Sequence, residues 1–350
     1  MTGHARSRRN ALRRSPLVWP LSALVALLLV NVAITPSFFD VRLQNGHLYG
    51  SLVDILRNGA PTLLIALGMT LVIATRGIDL SVGAVVAIAG AVACTTITGA
   101  SDPSSPVTAF AAMGLALGLC LVLGAWNGFL VAVLGIQPII ATLVLMTAGR
   151  GVAMLITDGQ IVTVNNATFA AVGAGFVVLP LAILISLAVF GLVAVLTRRT
   201  ALGMLIEAVG VNPTASRLAG VRSRTIVWTV YVFAALCAGV AGLMISADVN
   251  AADANNAGLW IELDAILAVV LGGTALSGGR YSLTGTLVGA LLIQTLTTTV
   301  YTIGVPSEVT LVFKAVVVLA VCLVQAPRAR ALLRRRVRGA ESTDATEVRA

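Results

Sequence analysis

Apolar runs separated by short polar breaks fill the chain from Leu17 to Gln325. They fall at residues 17–35, 53–75, 82–99, 107–130, 138–156, 177–196, 226–247, 264–276, 283–303 and 308–325. A helix crosses the hydrocarbon core with about 20 apolar residues, so the pattern predicts ten spans. The runs are continuous, whereas the strands of a membrane barrel alternate apolar and polar positions. The predicted fold is therefore an all-α, polytopic transmembrane helical bundle. The run at 264–276 is short and reads as a full span or a re-entrant one. The Gly-rich stretch at 107–135 leaves room for half-helices. The run at 17–35 is too long for the apolar part of a signal peptide and lacks a small-residue cleavage site, so it reads as an uncleaved anchor.

Composition agrees with the pattern. The 350 residues are 58% hydrophobic and 11% charged, with a mean hydropathy of +0.99. Soluble domains are about 25% charged, and disordered chains are poorer still in apolar residues. Both classes are excluded. The 34 glycines suit helices that pack closely in a membrane.

Charge supplies the orientation. There are 22 arginines and one lysine, Lys314. With both termini in the cytoplasm, ten spans place 19 of the 22 arginines on the inside; only Arg42, Arg57 and Arg150 fall elsewhere. That bias is the positive-inside rule. The basic residues 1–16 and the basic tail 326–350 then read as cytoplasmic flanks, not as a nucleic-acid footprint. Between them, residues 17–325 form one transmembrane domain with a cytoplasmic loop at 198–225.

The chain carries no catalytic or metal motif. Walker A, HExxH and GxSxG sequences are missing, as are paired catalytic carboxylates. Cys94, Cys120, Cys237 and Cys322 sit inside apolar runs without metal-ligand spacing and read as small core residues. His4 and His47 lie outside the spans. The Gly-rich turn at Ser277-Gly278-Gly279-Arg280 lacks the Lys-Ser/Thr of a phosphate loop and reads as a tight cytoplasmic turn. The oxygen-rich run at 248–262 lacks calcium-loop spacing. It reads as an outer loop meeting a partner or substrate, with Asp253, Asn255, Asn256 and Trp260 as the contact residues.

Polar residues in or beside spans are costly and tend to be functional. Asp79 lies in a polar break between two spans with Ser81, and Arg76 precedes it by three residues. This group suits a gate at an interrupted helix; it equally suits an ion pair anchoring a turn. Asn127, Gln137, Thr142, Gln160 and Gln294 suit a neutral, hydroxyl-rich solute such as a sugar, or serve as hydrogen-bonding glue between helices. Trp126 and Trp260 suit stacking on a sugar face or anchoring at the membrane interface.

The loop at 198–225 has a grammar of its own. Residues 202–209 have a helical pattern with an exposed Glu207. Gly210 fits a C-cap. Asn212 fits an N-cap, with Pro213 at the first helical position. Ala215, Leu218 and Ala219 line one face, and Gly220 ends the second helix. Two short helices held off the membrane make a docking device for a cytoplasmic partner.

With these residues in hand a resemblance is evident. Residues 68–83, from Gly68-Met69-Thr70 through Gly77-Ile78-Asp79-Leu80-Ser81-Val82-Gly83, resemble the hallmark of permease subunits of ribose-type ABC sugar importers. The 201–221 loop, the 265–273 run and Ser277-Gly278-Gly279-Arg280 agree, so the likeness covers about residues 50–325. Ile136-Gln137-Pro138, Ala148-Gly149-Arg150-Gly151, Gln160-Ile161-Val162-Thr163 and the 252–260 run are similar to the galactofuranose-importing branch. One departure is Arg76, where that family usually carries glycine. The resemblance implies a multi-pass permease of the bacterial inner membrane that moves galactofuranose or a related monosaccharide. It implies an ABC ATPase partner holding ATP and Mg, with no cofactor in this chain. It also implies a periplasmic or lipid-anchored sugar-binding protein and a second permease, in a heterodimer or else a homodimer. Glu207, Gly210, Asn212, Pro213, Arg217 and Gly220 are the implied contacts to the ATPase. Arg76, Asp79, Ser81, Asn127, Gln137 and Gln160 remain the pathway candidates. The rival reading, an ion-coupled secondary transporter, needs buried acids within spans. Only Asp79 and Asp264, at span edges, and Glu308, at the start of a span, are on offer.

Overall fold

The computed structural model describes residues 17–44, 46–304, 309, 311–316 and 319. The basic N-terminal segment, the basic tail, Cys322 and most of the expected tenth span lie outside the described residues. The helices are α1 (Val18–Ile34), α2 (Ser51–Ala74), α3 (Val82–Thr98), α4 (Pro106–Ala132), α5 (Pro138–Ile156), α6 (Ala167–Ala174), α7 (Leu181–Arg199), α8 (Leu202–Val211), α9 (Pro213–Leu218), α10 (Ser223–Val249), α11 (Ile261–Leu271) and α12 (Leu283–Thr302). Two small antiparallel pairs join them, β1 (Arg42–Gln44) with β2 (His47–Tyr49), and β3 (Val162–Thr163) with β4 (Ala251–Ala252).

Among the described residues six helices are long and apolar enough to cross a membrane: α2, α4, α5, α7, α10 and α12. The protein is a multi-pass membrane protein. The helices α1 and α3 have 17 residues each and α11 only 11. At 1.5 Å per residue α11 is about 16 Å long, half a bilayer core. The run at 264–276 is thus a half-length helix, and a count of ten full spans is not what the described residues present.

Local chemistry sets the helix ends. Ser105 accepts from the Val107 N–H at the start of α4, with Pro106 at the first position. Ser282 accepts from the Gly285 N–H at the start of α12. The bundle centre is α2, α3 and α10. Both α2 and α10 pack on their neighbours over most of their length, and α3 is buried without a break from Val82 to Cys94. A helix apolar on all sides belongs in such a core. Close approach holds α11 to α12, where Gly272 meets Gly285 and Ala268 meets Gly289.

The connecting segments sort into two ends. At one end the Gly279 N–H donates to Ala74 O (2.8 Å), and the guanidinium of Arg76 donates to Val211 O. At the other, Leu48 N–H donates to Val178 O (3.1 Å), β3 pairs with β4, and Asn166 Nδ2 donates to Pro103 O (2.8 Å) and Ser105 O (3.1 Å). The first end holds Arg76 and the arginines of the 198–225 loop.

Candidate pathway and coupling sites

The polar break between α2 and α3 is buried. Asp79 is 1% exposed, and its Oδ1 accepts from Ser81 N–H (2.9 Å) and Ser81 Oγ (2.6 Å). Asn127 Nδ2 on α4 donates to Ser81 Oγ (2.9 Å). The hydroxyl therefore relays from amide to carboxylate, and three sequence-named residues form one chain. Thr142 on α5 adds a bond to Ile78 O (3.3 Å). Asn127 Oδ1 and Tyr231 Oη, the latter packed against Gly77, are buried without a hydrogen-bond partner among the described residues. An uncompensated polar atom costs about 1–3 kcal/mol, so a polar pathway is one setting in which such atoms persist.

Arg76 does not pair with Asp79. It takes a left-handed conformation (φ 66°) at the end of α2 and reaches the Val211 carbonyl instead. A family that keeps glycine here would use the same backbone conformation without strain. The side chain thus joins the turn before Asp79 to the end of α8.

The docking segment departs from the sequence reading at two points. Gly210 is no C-cap: α8 runs on to Val211. The glycine is there because a Cβ would overlap Ala74 O and lie 2.6 Å from Gly279 N. Glu207 is half-buried, not exposed, and lines a cleft with Arg198 and Tyr281. The rest of the grammar is visible. Asn212 Oδ1 accepts from Thr214 N–H (3.1 Å) and Ala215 N–H (3.0 Å), Pro213 opens α9, and Gly220 (φ 85°) ends it. Arg217 is exposed, and Leu218 is 87% exposed.

At the opposite end, the loop after β4 folds inward. Asp253 Oδ1 accepts from Asn255 N–H (3.0 Å) and Asn256 N–H (3.2 Å), and Oδ2 from Asn256 Nδ2 (2.7 Å). These bonds, that of the Asn256 side chain foremost, hold the Asp253 carboxyl below its ordinary pKa. Asn255, Asn256 and Trp260 stay exposed, and Trp260 has φ 64°. Beyond them Glu262 is 3% exposed, its carboxylate against Gly83 at the start of α3. The loop read as wholly external thus ends inside the bundle.

Arg150 fixes that loop. Its Nη1 donates to Ala254 O (2.9 Å) and Ala257 O (2.6 Å). Sequence reading noted Arg150 as an exception to the charge bias and within the Ala148–Gly151 likeness but gave it no role; a lone arginine in an apolar run was the signal to follow. Charged hydrogen bonds contribute about 1.5–3 kcal/mol each. Arg150→Gln is therefore expected to free the loop. A cysteine placed at Asn255 should then react with a membrane-impermeant maleimide about tenfold faster than in the Arg150 background; an unchanged rate would show that the loop needs no such tether.

Gln137 and Gln160 do not join the buried chain. Both are exposed, Gln137 preceding α5 and Gln160 before β3. Gln294 lies across Gly59, and Trp126 is exposed beside Phe129. Among the described residues there are three ion pairs: Arg42–Asp40 (3.7 Å), Arg57–Asp248, and Lys314–Asp264 (2.8 Å).

Residues 51–322 match the model of a family described as branched-chain amino acid transport system, permease component. The chain belongs to that permease family. Within it the permease is of the ribose type. It is 51% identical to the galactofuranose transporter permease protein YtfT of Escherichia coli K12, over 94% of this chain and 95% of that one. It is 41% identical to the fructose import permease protein FruF of Bifidobacterium longum, over 90% of this chain and 88% of that one. Identity to the ribose import permease protein RbsC of E. coli K12 is 38%, over 87% and 92%. No solved structure matches the permease.

Proposed function

We propose that the permease carries a monosaccharide, galactofuranose or a related pentose or hexose, into the cytoplasm as one transmembrane subunit of an ATP-driven importer in a bacterial inner membrane. The observation that carries this reading is the 51% identity to the galactofuranose permease along nearly the whole of both chains. Both termini and the 198–225 loop face the cytoplasm in this reading, in keeping with the arginine bias. ATP and Mg are held by a separate ATPase. A periplasmic or lipid-anchored binding protein meets Asp253, Asn255, Asn256 and Trp260. A second permease completes the pathway, and a homologue of different sequence is favoured over a second copy.

The mechanism follows from the contacts. The ATPase grips α8 and α9 through Glu207, Asn212, Pro213, Arg217 and Gly220, with Gly210 seating α8 against α2. Closure of the ATPase on ATP moves α8. Because Arg76 holds the end of α8, the movement reaches the break at Asp79, Ser81 and Asn127. That break switches access from one side to the other, as interrupted helices do in other transporters. Neutral amides and hydroxyls suit a neutral sugar.

Glu207→Arg tests the coupling element. The substitution reverses a half-buried charge beside Arg198. Sugar uptake and binding-protein-stimulated ATP hydrolysis should both fall at least tenfold, about 1.4 kcal/mol of coupling. Unaltered uptake and stimulation in Glu207→Arg would sink the assignment.

A further inference from the structure

The arginine-rich end carries a groove that the transport reading does not use. Both α7 and α10 pack on α2, and between them they leave an open-sided groove with a cavity volume of about 150 Å³. Leu71 of α2 forms its floor, Val193 and Leu196 one wall, and Val230 and Phe233 the other; Ile206 of α8 closes the end. The hydroxyls on its lining are already used, since Thr197 Oγ1 donates to Val193 O (2.7 Å) and Thr229 Oγ1 to Ile226 O (2.9 Å). The walls therefore offer a guest no free hydroxyl donor, and the rest of the lining is aliphatic or aromatic. The volume is also too small for a protein segment, being well under the roughly 400 Å³ of one turn of a helix some 10 Å across. A stretch of flexible hydrocarbon chain, the rest of which runs out along the open side, fits both limits.

The mouth adds charge. Arg199 lies one turn beyond Leu196 at the end of α7, and Arg222 is the N-cap of α10, seven residues before Thr229. Both are exposed, and among the described residues neither has an acidic partner. Arg198, by contrast, lines the Glu207 cleft. Basic residues at the rim of an apolar groove between membrane helices are the arrangement that takes an anionic lipid.

We propose that this groove binds one anionic glycerophospholipid, with an acyl chain between α7 and α10 and its phosphate between Arg199 and Arg222. The chain then lies directly beneath α8, so occupancy supports the docking element from below.

The test uses the full-length permease, delipidated in mild detergent and examined by native mass spectrometry with phosphatidylglycerol or phosphatidylcholine of identical acyl chains. One phosphatidylglycerol should bind. The R199Q/R222Q double variant should bind it roughly thirtyfold more weakly, on a scale of about 1 kcal/mol per arginine, matching phosphatidylcholine. R42Q, at an exposed arginine in β1 at the opposite end, should bind as the parent does. Thr229→Trp should fill the groove and abolish binding of both lipids; if it does not fold, the arginine variants decide alone. Equal binding of the two lipids by the parent, or undiminished binding by R199Q/R222Q, would overturn the proposal. So would displacement of the lipid by glycerol phosphate, which would mark a site for a free phosphate ester instead.

Discussion

Gly210→Val is expected to stop sugar uptake while leaving the permease folded in the membrane. Any Cβ at this position would overlap Ala74 O, and Ala74 O already accepts from Gly279 N–H at 2.8 Å. Both neighbours are backbone, so neither can rotate away. The contact is relieved only by moving α8 off the end of α2. Overpacking of this kind costs about 1–3 kcal/mol, too little to unfold a bundle whose centre is α2, α3 and α10. The displacement also pulls Val211 O from Arg76. In the mechanism above, that severs the docking element from the break at Asp79. Uptake into cells should fall about a hundredfold at an unchanged membrane level of permease, the larger end of ordinary coupling energies. Gly210→Ala should lie between the two. Uptake by Gly210→Val at the parent rate would mean that α8 can leave α2 without consequence.

Asp79→Ala and Asp79→Asn should separate structure from transport. Alanine removes the acceptor for Ser81 N–H and Ser81 Oγ in a site that is 1% exposed. Each orphaned group costs about 1–3 kcal/mol, so Asp79→Ala should lose about 2–6 kcal/mol and melt several degrees lower in detergent. Asparagine keeps an oxygen in the same place and donors can still reach it. Asp79→Asn should therefore melt close to the parent. If uptake is lost in both variants while stability is lost in one, the carboxylate charge itself serves the pathway. If Asp79→Ala melts as the parent does, the buried chain from Asn127 through Ser81 to Asp79 contributes nothing to the fold.

The sequence was most legible where one residue type has one local use. Asn212 before Pro213 is read as a helix start because an amide oxygen and a donor-free first position satisfy that end, and both appear there. Long apolar runs were equally clear, since burial of backbone polar groups in lipid leaves only helices for such segments. Depth was not legible. The run at 264–276 looks like any short span, yet α11 has only 11 residues and its first turn carries Glu262, which packs inward against Gly83. Nothing in local periodicity encodes that distant partner. The same limit misled the reading of Gly210: a glycine at a helix end and a glycine at a close approach look identical in one dimension. Arg150 was visible as a charge in an apolar run, but its acceptors, Ala254 O and Ala257 O, are backbone atoms more than a hundred positions away. The pairs β1–β2 and β3–β4 are two or three residues long, too short for an alternating pattern to register.

The most direct test of the importer account is reconstitution. The permease is co-expressed with an ABC ATPase and a second permease, purified as an assembly, and placed in proteoliposomes with a candidate binding protein. The account predicts a stoichiometric complex whose ATP hydrolysis and sugar uptake rise together when the binding protein is loaded with galactofuranose or a related monosaccharide. A permease that purifies without any ATPase, and moves solute in response to an ion gradient alone, would contradict it.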